Sequence, residues 1–414
     1  MELLDKIYQA RERIKNVATH TPLMKNENLS EEFSSQVYLK REDLQPVRSY
    51  KLRGAYNKIA SLTDEEKSRG VICASAGNHA QGVAYTCNKL NIKVTIFMPV
   101  TTSPQKTKQV KFFGKDKVEI VLIGDTYDEA FDEAKKFCEE AKAIFIHPFD
   151  DEEVIAGQGT IALELIEDST TPIDYLFVPI GGGGLAAGII TVFEKLSPNT
   201  KIIGVEPVGA ASMKTSIEKG VNTTLENIDN FVDGAAVKRV GEQTFKICKE
   251  GLEDIVLVPE GKACTTILRM YNEDAIVVEP AGALSISALS FYKEQIKGKN
   301  VVCIVSGSNN DITRMQEIKE RSLLYEGLKH YFLVQFPQRP GAFKEFANDI
   351  LGPNDDIVFF QYSKKNNRES GPAVVGIELN DPNDLFRIEE QLKNKKFIYQ
   401  YLNKNADLFT ILTP

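Results

Sequence analysis

From Lys40 to Ser308, short β-branched apolar runs alternate with amphipathic stretches, and this alternation restricts the chain more than any other feature. The runs are VTIFMPV (94–100), EIVLIG (119–124), DYLFVPI (174–180), KIIGVEP (201–207), DIVLVPE (254–260) and NVVCIVSG (300–307). Continuous apolar runs of this length suit strands covered on both faces, as in parallel sheets. One intervening stretch opens with a capping box, Thr126 to Glu129, and carries Phe131, Ala134 and Cys138 at helical spacing. The expected fold class is α/β, with wound, largely parallel sheets over residues 1–325.

The order changes after the charged segment ITRMQEIKERSLLYEGL (312–328). The remainder reads strand (330–336), the turn PQRPG, helix (342–351), strand (356–364), the polar turn KNNRESG, strand (372–379), helix (384–394) and strand (399–403). A βαββαβ order is ferredoxin-like, so residues 326–414 are expected to form a second, α+β domain.

Composition narrows the class of protein. With 414 residues, 42% of them hydrophobic, the chain supports a core without disulfides. A formal net charge of -8 argues against a nucleic-acid partner, which would meet a clustered basic surface. The mixed-charge N-terminus MELLDKIYQARERIKNV lacks the apolar segment of a signal peptide, and no apolar run is long enough to span a bilayer. The six cysteines (Cys73, Cys87, Cys138, Cys248, Cys264 and Cys303) show no CxxC spacing. They are expected to be buried free thiols in a reducing cytoplasm, with no metal site.

Four segments carry candidate chemistry. In SYKLRGA (49–55), Ser49 is expected to cap a helix with Lys51 in its first turn. The positive end of the helix dipole disfavours a cation there, and the neutral amine is the form that attacks carbonyls. A lone lysine is otherwise a solvated surface charge. In CASAGNHAQG (73–82), small residues, an amide and His79 join a strand to a helix, where free backbone N–H groups would hold an anion. The alternative is a polar turn with His79 as a capping or core histidine. GGGGL (181–185) follows one strand and precedes the helix LAAGIITVFEKL. Four glycines cost backbone entropy, and they fit where bare amides approach a phosphate. Gly181, Gly183 and Ala186 also fit a dinucleotide fingerprint, with Glu206 as the ribose-binding acid. SGSNND (306–311) follows another strand, where hydroxyls in α/β sheets often face the ligand crevice.

Together the four segments resemble, in order, the motifs of the fold-type II pyridoxal-phosphate enzymes, and among these the threonine dehydratases. The resemblance implies that Lys51 forms the Schiff base with pyridoxal 5'-phosphate and that Asn78 lies beside the cofactor's phenolic oxygen. It implies a phosphate cradle at Gly181, Gly182, Gly183, Gly184 and Leu185, with Ser306 at the pyridine nitrogen. Ser75, Gly77, Asn78 and His79 would bind the substrate carboxylate. The implied reaction removes water from L-threonine to give 2-oxobutanoate and ammonia, with L-serine as a secondary substrate. A serine racemase or serine dehydratase is the alternative within the family, and a non-catalytic amino-acid sensor is the alternative outside it. Racemases of the family carry a serine where this chain has Ala76. Cation-binding members carry an aspartate where this chain has Ser212, although Glu206 is present. FPQRPGAF (336–343) resembles the ACT-like regulatory domain of biosynthetic threonine dehydratases. That implies isoleucine as effector, with Arg339 and Gly341 at its site, and a homo-oligomer (dimer or tetramer). A domain kept for oligomerisation alone is the other reading of this segment.

Overall fold

The computed structural model describes residues 2–362 and 369–413, so part of the expected KNNRESG turn (365–371) lies outside the described residues. Two compact units form, Met1–Thr313 and Arg314–Pro414. The first contains β1 (Leu23–Lys25), β2 (Gln36–Arg41), β3 (Val71–Ala74), β4 (Val94–Met98), β5 (Val118–Leu122), β6 (Ile144–Phe145), β7 (Tyr175–Pro179), β8 (Lys201–Pro207), β9 (Asp254–Val258) and β10 (Asn300–Val305). All six apolar runs are strands.

These strands build two sheets. The larger has the order β1-β2-β10-β7-β8-β9 and is parallel except for β1, which runs antiparallel to β2. The smaller, β5-β4-β3-β6, is wholly parallel. Each has its own core: Leu176, Val178, Ile189 and Ile304 in one lobe, and Cys73, Val83, Ile96 and Val110 in the other. The capping box at Thr126 forms as expected, with Ala134 and Cys138 on the buried side of the helix Tyr127–Ala141. All six cysteines are free and buried.

The helix Glu152–Asp168 is the centrepiece, and its sequence explains why. Every residue from Val154 to Leu165 is buried, because VIAGQGTIALEL has no polar stripe long enough to face water. Its glycines admit neighbouring backbones. A Cβ at Gly157 would lie 2.6 Å from Gly54 Cα in the helix Lys51–Ser61, and one at Gly188 in the helix Gly184–Leu196 would lie 2.6 Å from Gly159 N. The same helix supplies Glu164 to a buried ionic cluster. The Arg53 guanidinium donates to Glu42 (2.9 and 2.7 Å), to Glu164 (2.6 and 2.9 Å), to Thr160 and to the carbonyl of Thr19. Lys40, fully buried, pairs with Glu164 at 2.7 Å. Two carboxylates on a planar guanidinium fork satisfy its donors in a way that no lysine could.

The second unit is ferredoxin-like. Its strands β11 (Lys329–Pro337), β12 (Asp356–Tyr362), β13 (Ser370–Glu378) and β14 (Tyr399–Tyr401) are antiparallel in the order β12-β13-β11-β14. The helices Ala342–Ile350 and Asp384–Asn394 cover one face through Phe346, Ile350, Ile388 and Leu392. Tyr331, Val374 and Leu402 on the other face pack against Leu324, Leu408 and Phe409 from two further helices, Met315–Tyr325 and Ala406–Leu412. The sequence reading had assigned no helix after residue 403. Among the described residues no helix is long and apolar enough to cross a membrane.

Candidate active site

Lys51 is the first residue of its helix, as the motif demanded, but the cap differs from expectation. The Ser49 hydroxyl is buried and meets no protein partner, so it does not cap. Ser49 instead forms a β-bridge with Gly307, and Tyr50 N–H donates to the Ser306 carbonyl at 3.2 Å. Tertiary pairing with the end of β10 fixes the helix start where a hydroxyl cap was expected. The Lys51 ε-amine donates to the Pro148 carbonyl at 2.8 Å. Burial lowers its pKa to about 8, against an opposing pull from Glu279. The shift toward the neutral form is in the expected direction, and desolvation is its largest cause.

Pro148 belongs to HPFDD (147–151), a segment that the sequence reading passed over. Its two aspartates cap different helices. Asp151 accepts from the amides of Glu153 and Val154, and Asp150 accepts from those of Glu242 and Gln243. Between Lys51 and these anchors the Phe149 ring sits against the glycine loop. A Cβ on Gly182 would come within 2.2 Å of that ring, and one on Gly184 within 2.8 Å of the Phe149 carbonyl. Gly183 has a φ of +92°, a left-handed conformation natural to glycine. Thr244 closes the far side, its hydroxyl donating to the Gly182 carbonyl at 2.6 Å.

The glycine loop fits a phosphate. The carbonyls of Gly182 and Gly183 are engaged, yet the amides of Gly181, Gly182, Gly183, Gly184 and Leu185 donate to no acceptor among the described residues. Most of this segment is buried, and buried amides without an acceptor are costly unless a ligand supplies one. The Leu185 side chain lies in the core of the larger lobe.

A second set of free amides opens the helix Asn78–Leu90. Those of Asn78, His79 and Ala80 have no acceptor among the described residues, while the Ser75 hydroxyl accepts from Gly77 N–H at 3.2 Å. His79 is buried and donates through Nε2 to the Ile146 carbonyl at 2.9 Å, leaving Nδ1 without a partner. Desolvation, with the Lys51 charge adding to it, lowers its pKa to about 3, so the ring is neutral. Asn78 Nδ2 donates to Glu279 at 2.6 Å, and Asn309 Nδ2 donates to Asn78 Oδ1 at 2.6 Å. Ser306 is buried at the end of β10, and its hydroxyl meets no partner among the described residues.

The candidate residues therefore form one neighbourhood. Phe149 and Pro148 link the glycine loop to Lys51, Tyr50 links Lys51 to Ser306, and Asn309 links that loop to Asn78. Glu279 and the HPFDD segment complete it. The EPAG sequence at Glu279 held the clue of an acid before a helix-starting proline, but nothing local told where that acid would point.

Glu206 is elsewhere and differently employed. It accepts from the amides of Met213 (2.7 Å) and Lys214 (2.9 Å), at the start of the helix Ser212–Lys219. Burial raises its pKa to about 7, against those two bonds. Both its oxygens serve a helix start, which argues against the ribose-binding role of the dinucleotide alternative. Among the described residues no cluster of His, Cys, Asp or Glu could hold a metal ion.

In the second unit, Arg339 is exposed and paired with Glu345, and Gly341 starts the helix Ala342–Ile350 with a φ of +85°. Beside them is a cavity of about 320 Å³ lined by Phe336, Arg339, Gly341, Phe343, Phe360 and Tyr362, among others.

Comparison with known proteins agrees with this geometry. Residues 14–307 match the family described as pyridoxal-phosphate dependent enzyme, and residues 320–412 match the C-terminal regulatory domain of threonine dehydratase. The chain is 58% identical over 409 residues to the biosynthetic L-threonine dehydratase of Halalkalibacterium halodurans, covering 99% of each. It is 56% identical to that of Bacillus subtilis over 98% of this chain and 96% of the other. Of solved structures, the processed form of threonine deaminase isoform 2 from Solanum lycopersicum superposes with a TM-score of 0.73 at 43% identity, covering 77% of this chain and 89% of that one. Serine racemase from Dictyostelium discoideum follows at 0.69 and 32%, covering 75% and 99%. A buried amine, a loop of free amides and near-full-length kinship lead to one assignment: the chain belongs to the pyridoxal-phosphate dependent enzymes, within them to the biosynthetic threonine dehydratases with a C-terminal regulatory domain.

Proposed function

We propose that this protein removes water and then ammonia from L-threonine to yield 2-oxobutanoate, the first step toward isoleucine, with L-serine as a slower substrate. The observation that carries the reading is the buried Lys51 amine, with a pKa lowered to about 8, in one neighbourhood with a loop of unclaimed amides. Pyridoxal phosphate, when bound, supplies the electron-withdrawing ring that stabilises negative charge at the substrate Cα.

The chain's own groups do the rest. The amides of Gly181–Leu185 hold the phosphate, and Lys51 is the covalent anchor. Lys51 Nζ, as a neutral amine, would take the Cα proton. The amides at the start of the Asn78 helix, with Ser75 and Gly77, hold the substrate carboxylate. Ser306 would offer the ring nitrogen a neutral hydroxyl, a partner that would favour loss of a β substituent over reactions needing a longer-lived carbanion. His79 is neutral and commits its one N–H to the Ile146 carbonyl, so it is not the acid for the departing hydroxyl.

Catalysis is assigned to Met1–Thr313 and regulation to Arg314–Pro414, a boundary about twelve residues before the expected one at 325, in a cytoplasmic homo-oligomer (dimer or tetramer). The aromatic-lined cavity beside Arg339 and Gly341 suits an aliphatic amino acid, and isoleucine is the proposed effector. The test measures 2-oxo acid formation from threonine and from serine over a range of isoleucine concentrations. Isoleucine should weaken threonine affinity by about 5- to 150-fold, the usual range of allosteric coupling. No oxo acid from threonine would refute the catalytic reading, and isoleucine-independent kinetics would refute the regulatory one.

A further inference from the structure

Asn78 is caught between two groups that leave its amide one orientation. A side-chain amide offers an oxygen with two lone pairs and a nitrogen with two hydrogens, and a flip exchanges them. Glu279 Oε1 lies 2.6 Å from Nδ2, and an ionised carboxylate can only accept. Asn309 Nδ2 lies 2.6 Å from Oδ1 and donates to it. Asn309 is itself fixed: the same nitrogen donates to the Val47 carbonyl at 2.9 Å, and its backbone N–H donates to Glu279 Oε2 at 3.1 Å. Each oxygen of Glu279 thus binds one arm of a closed ring, Glu279–Asn78–Asn309. What remains on Asn78 is one N–H and one lone pair.

Glu279 also braces the other side of the site. Its backbone N–H donates to the Gly307 carbonyl at 3.2 Å, and a Cβ at Gly307 would meet Oε1 at 2.4 Å. The carboxylate is thus pressed against the residue that follows Ser306. It is 5% exposed, and burial, with Asp233 adding to it, pushes its pKa up to about 7. The bonds from Asn78 and Asn309 oppose that push, so the ionised form depends on both.

We propose that Glu279 is a positioning residue which, acting with Asn309, locks the Asn78 amide so that its one free N–H is presented to the phenolic oxygen of the cofactor. This rests on the reading that pyridoxal phosphate is bound at Lys51 with Asn78 beside it. Glutamine at position 279 would accept from Asn78 with its oxygen but turn its own N–H groups toward the Asn309 amide. Two donors would then face each other, the ring would open, and Asn78 would be free to flip.

The experiment uses full-length, cofactor-loaded protein carrying Glu279→Gln, Asn309→Ala, Asn78→Ala, or Glu279→Gln with Asn78→Ala. Borohydride fixation and peptide mapping report attachment at Lys51, the visible spectrum reports the environment of the phenolic oxygen, and kinetics separate kcat from KM. Glu279→Gln should keep attachment at Lys51, shift the visible band, and lower kcat about ten- to hundredfold with a small change in KM for threonine, as for loss of a hydrogen bond to a charged group. Asn309→Ala should shift the band in the same direction. Added to Asn78→Ala, Glu279→Gln should have little further effect, because its action passes through Asn78. A Glu279→Gln protein with the wild-type band and kcat overturns the proposal, as does an effect fully additive to Asn78→Ala. If Glu279→Gln does not fold, the Asn309→Ala band decides, an unshifted band counting against. Absence of the cofactor from Lys51 in the unaltered protein is a different failure, that of the underlying reading.

Discussion

The Lys51 ε-amine donates to the backbone carbonyl of Pro148 at 2.8 Å. That carbonyl belongs to the residue before Phe149, whose ring forms one wall of the glycine loop. The HPFDD segment therefore fixes the spacing between the Lys51 amine and the glycine loop, and its aspartates anchor it to two helices.

Burial gives the amine a measurable signature. Since the neutral amine is the nucleophile, aldehyde capture by cofactor-free protein should speed up as pH rises and level off above an inflection near 8, not near 10.5. The rate of borohydride-trapped pyridoxal on Lys51 across pH 6 to 11, about one unit per step, gives the profile. An inflection above about 10 would show that Lys51 is not desolvated. Lys51→Ala should abolish steady turnover.

Gly182 tolerates no side chain, because a Cβ there would lie 2.2 Å from Phe149. Gly182→Ala should cost about 1–3 kcal/mol of overpacking and displace the loop amides, which a titration with pyridoxal phosphate would read as weaker binding. Gly220→Ala is the control. Its φ of +74° strains an alanine but nothing lies within 4 Å, so it should lose a little stability and no cofactor affinity.

Elimination should proceed without appreciable racemisation. The methyl group of Ala76, half-buried beside Ser75 and Gly77, offers no proton. Chiral analysis after long incubation with L-serine should find pyruvate and little D-serine; comparable rates of the two would refute the expectation. Ala76→Ser should introduce some racemisation.

Arg53 lies two residues from Lys51 yet serves the fold. Arg53→Met would strand Glu42 and leave Glu164 with Lys40 alone, and breaking a buried pair on one side costs about 3–5 kcal/mol. Urea denaturation should show that loss. Arg53→Lys should recover part of it, because an ammonium cannot span both carboxylates.

Local patterning carried the periodic part of this protein. All six apolar runs became strands, because covering both faces of a parallel sheet requires them to be apolar throughout. GGGGL announced its loop, since four glycines in a row have few other uses. The ferredoxin-like order of the second unit was equally legible from alternating periods. Short β1 and β6 and the helix Ala406–Leu412 carried too few residues for a period to show clearly.

Partner choice was not legible. The Ser49 hydroxyl has the chemistry of a helix cap, but pairing with Gly307 decided its position. Glu206 could have held a ribose or a cation by its place after a strand, and it binds two helix amides. Asn78 meets an acid 201 residues away, and Lys51 meets a carbonyl 97 residues away. A sequence determines the period and polarity of each segment through neighbours three or four residues apart. Which polar group meets which in the site depends on the order β2-β10-β7 and on helices brought close by glycine. Those contacts exist only once the sheet and its covering helices have closed.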